Sequence, residues 1–350
     1  MSTVTIAVDL AKNVFEIAVA GRAGTIRQRK RLSRPQFEQY WGKQAACRVV
    51  MEACSSSHFW ARYLIGRGFE VVLLPPHYVK PYRRRSKTDR VDCEAILEAD
   101  RCAGIHPVAI KSEDQQALVS LHRVRSQWLQ TRTARINAMR GLLREFGVIA
   151  PTGSKSFMNN LHLMLAEKRE RLPARVQRTV DVLWQEVRDL EERIETIETE
   201  LEQVAHEEPV VLALLKIPGI GILTATALFA TVADIHAFSS GRQLACWFGL
   251  TPRESSSGNR RRLGRISKQG DPYVRMLLIH GARAALNAAR RTHDANRPLT
   301  QLQAWALKRA SEGHSNRAAV ALANKLARIA WAVWRHDRDF DGNHVVRIAA

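Results

Sequence analysis

The sequence predicts an α/β domain at the N-terminus, then a helical arm and a helical C-terminal domain. Short apolar runs that alternate with polar residues, typical of strands, are confined to the first quarter of the chain. Beyond them, apolar residues recur every three or four positions over long segments, as in helices. The chain has 350 residues, enough for two or three domains. We expect these domains at residues 1–110, 111–208 and 209–350.

The first segment has the element order of a ribonuclease-H-like fold. A hairpin, a third strand, then alternating helices and single strands are followed by an acidic helix. Ser33 and Pro35 are suited to begin the first helix. We expect strands at residues 4–8, 14–19, 25–32, 48–51 and 71–74, and helices at 36–43, 58–67 and 93–99.

Four acids occupy the places where that fold carries carboxylates, namely the first strand, a later central strand and a C-terminal helix. They are Asp9, Glu52, Asp89 and Asp92. Asp89 and Asp92 lie three residues apart, so on a helix they share one face. Hard oxygen ligands of this kind suit Mg²⁺ or Mn²⁺. The sequence therefore predicts a divalent metal site, although two aspartates at this spacing are also common on ordinary helices.

The charge balance predicts a polyanionic partner. The formal net charge is +20 and the isoelectric point about 10.5, which favours nucleic acid over a membrane surface or a merely soluble basic protein. No apolar run reaches the length of a membrane span, and the N-terminus lacks the pattern of a signal peptide. Five cysteines without CxxC spacing fit a reducing compartment. We expect a cytoplasmic protein associated with the nucleoid and no membrane partner.

A basic run lies directly before the acidic helix. It is composed of Arg83, Arg84, Arg85 and Lys87 around Ser86. Because this run adjoins the predicted metal site, we expect it to contact phosphates. Such contacts would position a nucleic-acid backbone without reading its sequence. The alternative is a solvated loop.

Two long helices are predicted for the middle domain, at residues 113–146 and 173–207. The second has apolar residues at alternating steps of four and three, which indicates a heptad seam and a coiled coil. The two helices either pair as an antiparallel arm or the second dimerises. The sequence does not decide between these arrangements.

A Pro-Gly-x-Gly turn separates two apolar helical segments at residues 218–221. This is typical of a helix-hairpin-helix, in which Gly219 and Gly221 let the backbone approach a phosphate. A plain turn between helices is the alternative.

A serine-glycine loop with many basic neighbours follows. A serine hydroxyl is a weak nucleophile until its surroundings stabilise the developing charge, and guanidinium groups can do this at a phosphodiester. A flexible linker that binds phosphate is the alternative. The candidate residues are Ser256 and the basic residues Arg253, Arg260, Arg261, Arg262, Arg265 and Lys268.

These motifs resemble the DEDD transposases of the IS one-ten family of insertion sequences, most closely its IS eleven-eleven branch. The resemblance extends over nearly the whole chain, with Cys93 in place of the usual alanine. The matching segments are Ile6-Ala7-Val8-Asp9, Met51-Glu52-Ala53-Cys54-Ser55-Ser56, Lys87-Thr88-Asp89-Arg90-Val91-Asp92, Ile217-Pro218-Gly219-Ile220-Gly221, Phe248-Gly249-Leu250-Thr251-Pro252-Arg253-Glu254, Ser256-Ser257-Gly258 and Ile266-Ser267-Lys268-Gln269-Gly270-Asp271.

The resemblance implies a RuvC-like domain whose acids are Asp9, Glu52, Asp89 and Asp92, and a transposase domain whose nucleophile is Ser256, with Ser257 still possible. It further implies a phosphoserine intermediate, a composite site in a dimer or tetramer, and a structured RNA from the element that pairs with donor and target DNA.

Three functions are consistent with these features. We favour a metal-dependent DNA transposase or recombinase that uses a serine for transesterification and is guided by RNA. A RuvC-like nuclease, in which metal-activated water attacks and Ser256 is dispensable, would form no covalent adduct. A binding scaffold without cleavage would keep its salt-dependent nucleic-acid affinity after Asp89 and Asp92 were both changed to alanine.

Overall fold

The computed structural model describes residues 4–21, 24–83 and 89–344, except for the side chains of residues 89, 90, 168 and 169. The chain divides into two compact units. The first comprises Met1–Glu113 with Val232–Ala237, and the second comprises Asp114–Thr231 and Phe238–Ala350. Each unit has its own apolar core and is described by itself.

The described part of the first unit contains a mixed five-stranded sheet in the order β3-β2-β1-β4-β5. Strand β1 is antiparallel to β2 and parallel to β4, and β5 extends the parallel part. This sheet and its helices fit a ribonuclease-H-like domain, which confirms the predicted fold class for this segment. The elements are β1 (Thr5–Asp9), β2 (Val14–Ala20), β3 (Ile26–Ser33), α1 (Arg34–Trp41), β4 (Arg48–Glu52), α2 (Ser57–Ile65), β5 (Glu70–Leu74), α3 (Pro76–Val79) and α4 (Asp89–Asp100).

The two faces of the sheet are covered by different helices. Apolar residues at alternate strand positions point to opposite faces, so Val8 and Met51 join a core with α1 and α2, while Ala7 and Val50 join a core with α4. The first core is largely aromatic, and Phe15, Phe37 and Trp60 contact one another within it. The second face, under α4, is the one that carries the acids.

The second unit is built mainly of helices, as predicted, with one short pair of strands. The elements of this unit are α5 (Glu113–Glu145, whose first residue belongs to the first unit), α6 (Ser154–Lys168), α7 (Ala174–Glu207), α8 (Pro209–Leu215), α9 (Ile222–Val232, whose last residue belongs to the first unit), α10 (Gly241–Trp247), β6 (Pro252–Glu254), β7 (Leu263–Ile266), α11 (Pro272–Asp294), α12 (Gln301–Ser311) and α13 (Ser315–Arg335). Helix α6 was not predicted.

Helices α5 and α7 lie side by side in opposite directions. Arg125 pairs with Glu198, and Arg132 pairs with Glu191. Residues later in α5 thus pair with residues earlier in α7, as in antiparallel helices. Apolar residues of the predicted seam, among them Val187 and Leu201, are buried. The structure therefore shows the antiparallel pairing within one chain, while a coiled coil in the strict sense stays a prediction.

The predicted Pro-Gly-x-Gly turn lies between α8 and α9. Gly219 has φ of +90°, which favours glycine. A Cβ atom there would lie 2.6 Å from the backbone oxygen of Gly281 on α11, and a Cβ atom on Gly281 would overlap Gly219 in turn. Close backbone packing is thus a sufficient reason for Gly219, and the helix-hairpin-helix interpretation stays a prediction.

No helix in the described residues is both long enough and apolar enough to span a bilayer.

Candidate catalytic sites

Two of the predicted acids end adjacent parallel strands. Val8 of β1 is paired with Met51 of β4, so Asp9 and Glu52 follow at the same level. Because side chains alternate along a strand, both acids lie on the face covered by α4. The fold therefore places these carboxylates together at the carboxyl edge of the sheet, as the strand pattern predicts.

Arg83 links the third described acid, Asp92 on α4, to Glu52. Its Nη2 donates a 2.7 Å hydrogen bond to Oε2 of Glu52, and its Nε lies 2.9 Å from Oδ1 of Asp92. Asp92 is 8% exposed, so this ion pair is largely shielded from water. A single guanidinium thus joins two carboxylates contributed by different elements.

Asp92 depends on a positive charge beside its buried oxygen. The Nε–Oδ1 contact is an ion pair whose angle does not make a hydrogen bond, and both atoms are buried without another hydrogen-bond partner among the described residues. A buried carboxylate oxygen in this state is costly unless a positive charge lies beside it. Here the guanidinium of Arg83 supplies that charge, at a place where carboxylate oxygens would suit Mg²⁺ or Mn²⁺.

Glu16 adds a carboxylate that was not predicted. It is paired directly opposite Asp9 in the β1–β2 hairpin and shares the face under α4. Its Oε2 is buried and has no hydrogen-bond partner among the described residues. The thiol of Cys93 on α4 donates a 3.3 Å hydrogen bond to the Glu16 backbone carbonyl, and burial raises the pKa of Cys93. The alternating strand pattern is consistent with Glu16 on this face, but only the register of the hairpin shows that it lies opposite Asp9.

The remaining residues of this predicted site lie outside the described part of the chain. These are Arg84, Arg85 and Lys87, together with the side chain of Asp89, whose backbone begins α4. Among the described side chains, no group of three or more His, Cys, Asp or Glu comes close enough to hold a metal ion. The four-acid metal site therefore stays a prediction, with Glu52 and Asp92 brought together and Asp9 beside them.

The segment predicted as a serine-glycine loop is a β-hairpin, whose two strands were not predicted. Strands β6 and β7 are antiparallel. Their pairing continues toward the tip, where the Ser255 N–H donates to the carbonyl of Arg262 and Ser257 forms an isolated bridge with Arg260. Gly258 turns the chain with φ of +56°. Hydrogen bonds thus fix the serine run in an extended conformation.

Ser256 is the serine with a carboxylate partner. Its Oγ donates a 2.8 Å hydrogen bond to Oε1 of Glu254 and accepts a 3.1 Å bond from the backbone N–H of Arg262. The same Glu254 oxygen accepts a 3.1 Å bond from Nε of Arg261. Hydrogen bonds from Ser256 and Arg261 lower the pKa of Glu254. The serine therefore lies between an ionised carboxylate and a backbone donor.

Close backbone packing anchors the base of this hairpin. A Cβ atom on Gly270 would overlap the backbone oxygen of Trp247, and one on Gly249 would overlap Gln269. Both glycines have positive φ. Nη1 of Arg275 on α11 donates to the carbonyls of Phe248, at 3.1 Å, and Gln269, at 3.0 Å. The hairpin therefore projects from a rigid base, and its basic residues are exposed along it.

A groove of about 880 Å³ lies beside the hairpin in the second unit. The indole of Trp305 on α12 forms part of its wall, with the ammonium of Lys325 4.3 Å from the ring centroid. Three arginines line the groove but only one carboxylate, Glu312, which pairs with Arg309 at 2.9 Å. The other two are Arg265 and Arg317. This excess of positive charge favours an anionic ligand.

Comparison with known proteins identifies the family. The chain is 40% identical over 334 residues to a probable family 20 transposase of Pseudomonas aeruginosa, covering 95% of this chain and 97% of that protein. It is 38% identical to the transposase of insertion sequence element IS1111A of Coxiella burnetii, over 93% of this chain and 88% of that one. Family models that name IS110 match most of the chain in two segments. The chain belongs to the IS110 family of insertion-sequence transposases. This confirms the resemblance seen in the sequence.

Two family models match separate parts of this IS110-family chain. One, for the DEDD transposase of IS110, matches residues 6–148, and the other, described as the transposase IS116/IS110/IS902 family, matches residues 212–296. The transposase of element IS1328 from Yersinia enterocolitica is 38% identical over 94% of this chain and 96% of its own. The first matched segment contains the acidic site, and the second contains the Pro-Gly-x-Gly turn and the serine hairpin.

Proposed function

We propose that this transposase cuts and rejoins DNA by transesterification, with Ser256 as nucleophile and Asp9, Glu52, Asp89 and Asp92 as ligands of divalent metal. One observation carries the proposal. Glu52 and Asp92, from a strand end and a separate helix, converge on one cationic group beside Asp9. Such convergence of acids from distant positions is costly without cations and serves metal-assisted phosphoryl chemistry.

Divalent cations held by these carboxylates would offset phosphate charge and stabilise the leaving oxygen. The chain's own residues have separate tasks. Ser256 attacks phosphorus, and the arginines exposed on the hairpin balance the charge that develops there. Metal held by Glu52 and Asp92 would compete with Arg83 for these oxygens, and a displaced Arg83 could contact a phosphate, as the basic run predicts. We assign the charge-balancing role to Arg253, Arg260, Arg261, Arg262 and Arg265.

The proposed partners are the DNA of the element ends and the target, together with a structured guide RNA. The surplus of positive charge and the cationic groove beside the hairpin support backbone binding. In this proposal base pairing by the RNA supplies sequence specificity, and Gly219, Gly221 and Lys268 contribute phosphate contacts. A dimer or tetramer would bring together the copies that act on the two DNA ends.

A metal-dependent nuclease is the second candidate, because the acids lie on the first unit and do not require the serine. In that case water attacks phosphorus and Ser256 has no role in the chemistry. A non-cleaving scaffold is the third, and the acids gathered around Arg83 count against it.

A trapping assay tests the proposal. Full-length protein, DNA carrying the joined element ends, the flanking transcript and Mg²⁺ are mixed and run on a denaturing gel. We expect a slow protein–DNA band that is lost in Ser256→Ala and in Asp92→Asn, with DNA binding retained in both variants. Free cleaved ends without a band, together with an active Ser256→Ala protein, would establish the nuclease instead.

A further inference from the structure

We propose that Glu254 is a catalytic residue that takes the proton from Ser256, and that its position selects Ser256 among the three consecutive serines. The inference rests on the proposed serine mechanism and deepens it. The hydroxyl of Ser256 already donates to Glu254 at 2.8 Å, which is the geometry required of a general base before attack.

The strand geometry of the hairpin produces this contact. Glu254 ends β6, and the extended backbone continues through the serines. Residues two apart on an extended segment lie on the same face, so Ser256 falls beside Glu254 whereas Ser255 and Ser257 point to the opposite face. No hydroxyl hydrogen bond is found for Ser255 or Ser257 among the described residues, although the backbone N–H of each is paired across the hairpin. The register therefore distinguishes one serine from its neighbours.

Two further groups complete the arrangement around the hydroxyl. The backbone N–H of Arg262 points at Oγ of Ser256 from 3.1 Å and would stabilise negative charge as the proton leaves. Nε of Arg261 holds the Glu254 oxygen that accepts the serine proton, at 3.1 Å. Arg261 is thus a positioning residue for Glu254. Glu254 has a lowered pKa and is therefore ionised at neutral pH, the form that accepts a proton, although the same hydrogen bonds make it a weaker base.

Cleavage exchanges one phosphate ester bond for another. Oγ of Ser256 forms a bond to phosphorus while its proton passes to Glu254. The bond between phosphorus and one sugar oxygen breaks, and that oxygen leaves with the electron pair and takes a proton from water. In rejoining, the oxygen of a sugar hydroxyl forms a bond to phosphorus and its proton passes to solvent. The bond between phosphorus and Oγ of Ser256 breaks, and protonated Glu254 returns its proton to Oγ. The acid and base roles are therefore exchanged on one carboxyl group between cleavage and rejoining.

The test measures the rate of adduct formation with the full chain, the joined-end DNA, its transcript and Mg²⁺. Glu254→Gln keeps the size of the side chain but removes the proton acceptor. We expect adduct formation to slow by about 100-fold or more, with DNA affinity changed no more than in the control. Glu186→Gln is that control, since it removes one partly exposed carboxylate of the same unit, which pairs with Arg135 away from the hairpin and the cationic groove.

The pH profile separates proton transfer from a structural role. The wild-type rate should fall as pH is lowered through the pKa of Glu254, whereas the residual Glu254→Gln rate should rise continuously with pH because hydroxide replaces the carboxylate. Glu254→Asp should recover part of the rate. An unchanged rate in Glu254→Gln, with Ser256→Ala inactive, would overturn this role and leave the serine mechanism standing. An active Ser256→Ala would instead overturn the mechanism on which the inference rests.

Discussion

Arg83 donates a 2.7 Å hydrogen bond to Glu52 at the carboxyl end of the parallel strands. Because the same guanidinium also pairs with the buried Asp92, it neutralises part of the acidic site. A monovalent side-chain cation thus lies where the proposed divalent cation would bind, and the two must compete for the same oxygens.

The competition predicts the behaviour of Arg83→Ala. Removing one partner of a shielded ion pair leaves uncompensated carboxylates, so without divalent metal we expect the free energy of unfolding to fall by about 3 kcal/mol. Mg²⁺ should raise the melting temperature of this variant more than that of the wild type. Thermal denaturation with Mg²⁺ or with chelator measures both effects.

Arg48→Ala is the control, because Arg48 pairs at 2.8 Å with Asp100 elsewhere in the same unit. It should lower the melting temperature without making it more responsive to Mg²⁺. If Mg²⁺ stabilised the two variants equally, competition between Arg83 and metal would be refuted.

Glu16 gives a second prediction for the acidic site. Its Oε2 is buried without a hydrogen-bond partner in the described part of the chain, on the side of the sheet that carries Asp9 and Glu52. Glu16→Gln should therefore lessen the repulsion in metal-free protein. We expect a gain of up to about 1 kcal/mol in chelator, since buried carboxylates without partners are costly, and weaker stabilisation by Mg²⁺.

Urea denaturation at several Mg²⁺ concentrations tests this, with Glu38→Gln on the exposed side of α1 as the control. A loss of stability in chelator equal to that of an ordinary core substitution would mean that Glu16 has a structural partner and no part in the cluster.

His122 predicts a pH dependence in the second unit. Its Nδ1 lies 3.1 Å from the Tyr273 hydroxyl and its Nε2 3.1 Å from the Thr226 hydroxyl, so both ring nitrogens have a partner when the ring is neutral. Burial, then the charge of Arg125, lower its pKa to about 4. An unfolded histidine binds its proton near pH 6.5. The unfolded state therefore takes up the proton first as pH falls.

The contribution of neutral His122 to the free energy of unfolding is complete above about pH 6.5 and is lost progressively as pH falls toward 4. At about 1.4 kcal/mol per pKa unit the loss is roughly 3 kcal/mol. Subtracting the pH profile of His122→Gln from that of wild type, in chemical denaturation, isolates it. NMR titration of the His122 ring should show no protonation until well below pH 6. Protonation near pH 6.5 would contradict the assignment.

Substitutions at Gly219 and Gly221, the two glycines of the Pro-Gly-x-Gly turn, distinguish a packing role from phosphate binding. Gly219→Ala would press a methyl group against the backbone of Gly281 and strain a positive φ, so unfolding free energy should fall by about 1–3 kcal/mol. A Cβ atom on Gly221 meets nothing within 4 Å. Gly221→Ala should leave stability within about 0.5 kcal/mol of wild type yet weaken DNA binding by blocking backbone approach to a phosphate.

Denaturation and DNA titration at fixed salt distinguish the two. Unchanged DNA affinity in Gly221→Ala would contradict the helix-hairpin-helix interpretation, whatever the effect at Gly219.

The sequence was most informative where local pattern and topology coincide. Asp9 and Glu52 follow apolar strand runs, and parallel strands end at one edge, so their proximity could be predicted. Glu16 could not, because its place depends on the hairpin register rather than on its own neighbours.

Other features could not be predicted from the sequence for similar reasons. The serine segment has the composition of a flexible loop, and only cross-strand hydrogen bonds such as Ser255 to Arg262 make it a hairpin. Helix α6 was not predicted, because the helix-breaking residues Gly147, Pro151 and Gly153 directly precede it. The ion pairs of Arg83 could not be predicted, because they join it to residues 31 and 9 positions away in the sequence. Its contact with phosphate stays a prediction.

The most direct test of the central claim is to locate the DNA on the protein. The adduct formed with joined-end DNA is digested with protease and nuclease, and the modified peptide is sequenced by mass spectrometry. The account predicts a nucleotide on Oγ of Ser256, with Ser255→Ala and Ser257→Ala still forming adduct. A nucleotide on another residue, or cleaved DNA with no modified peptide, would contradict it.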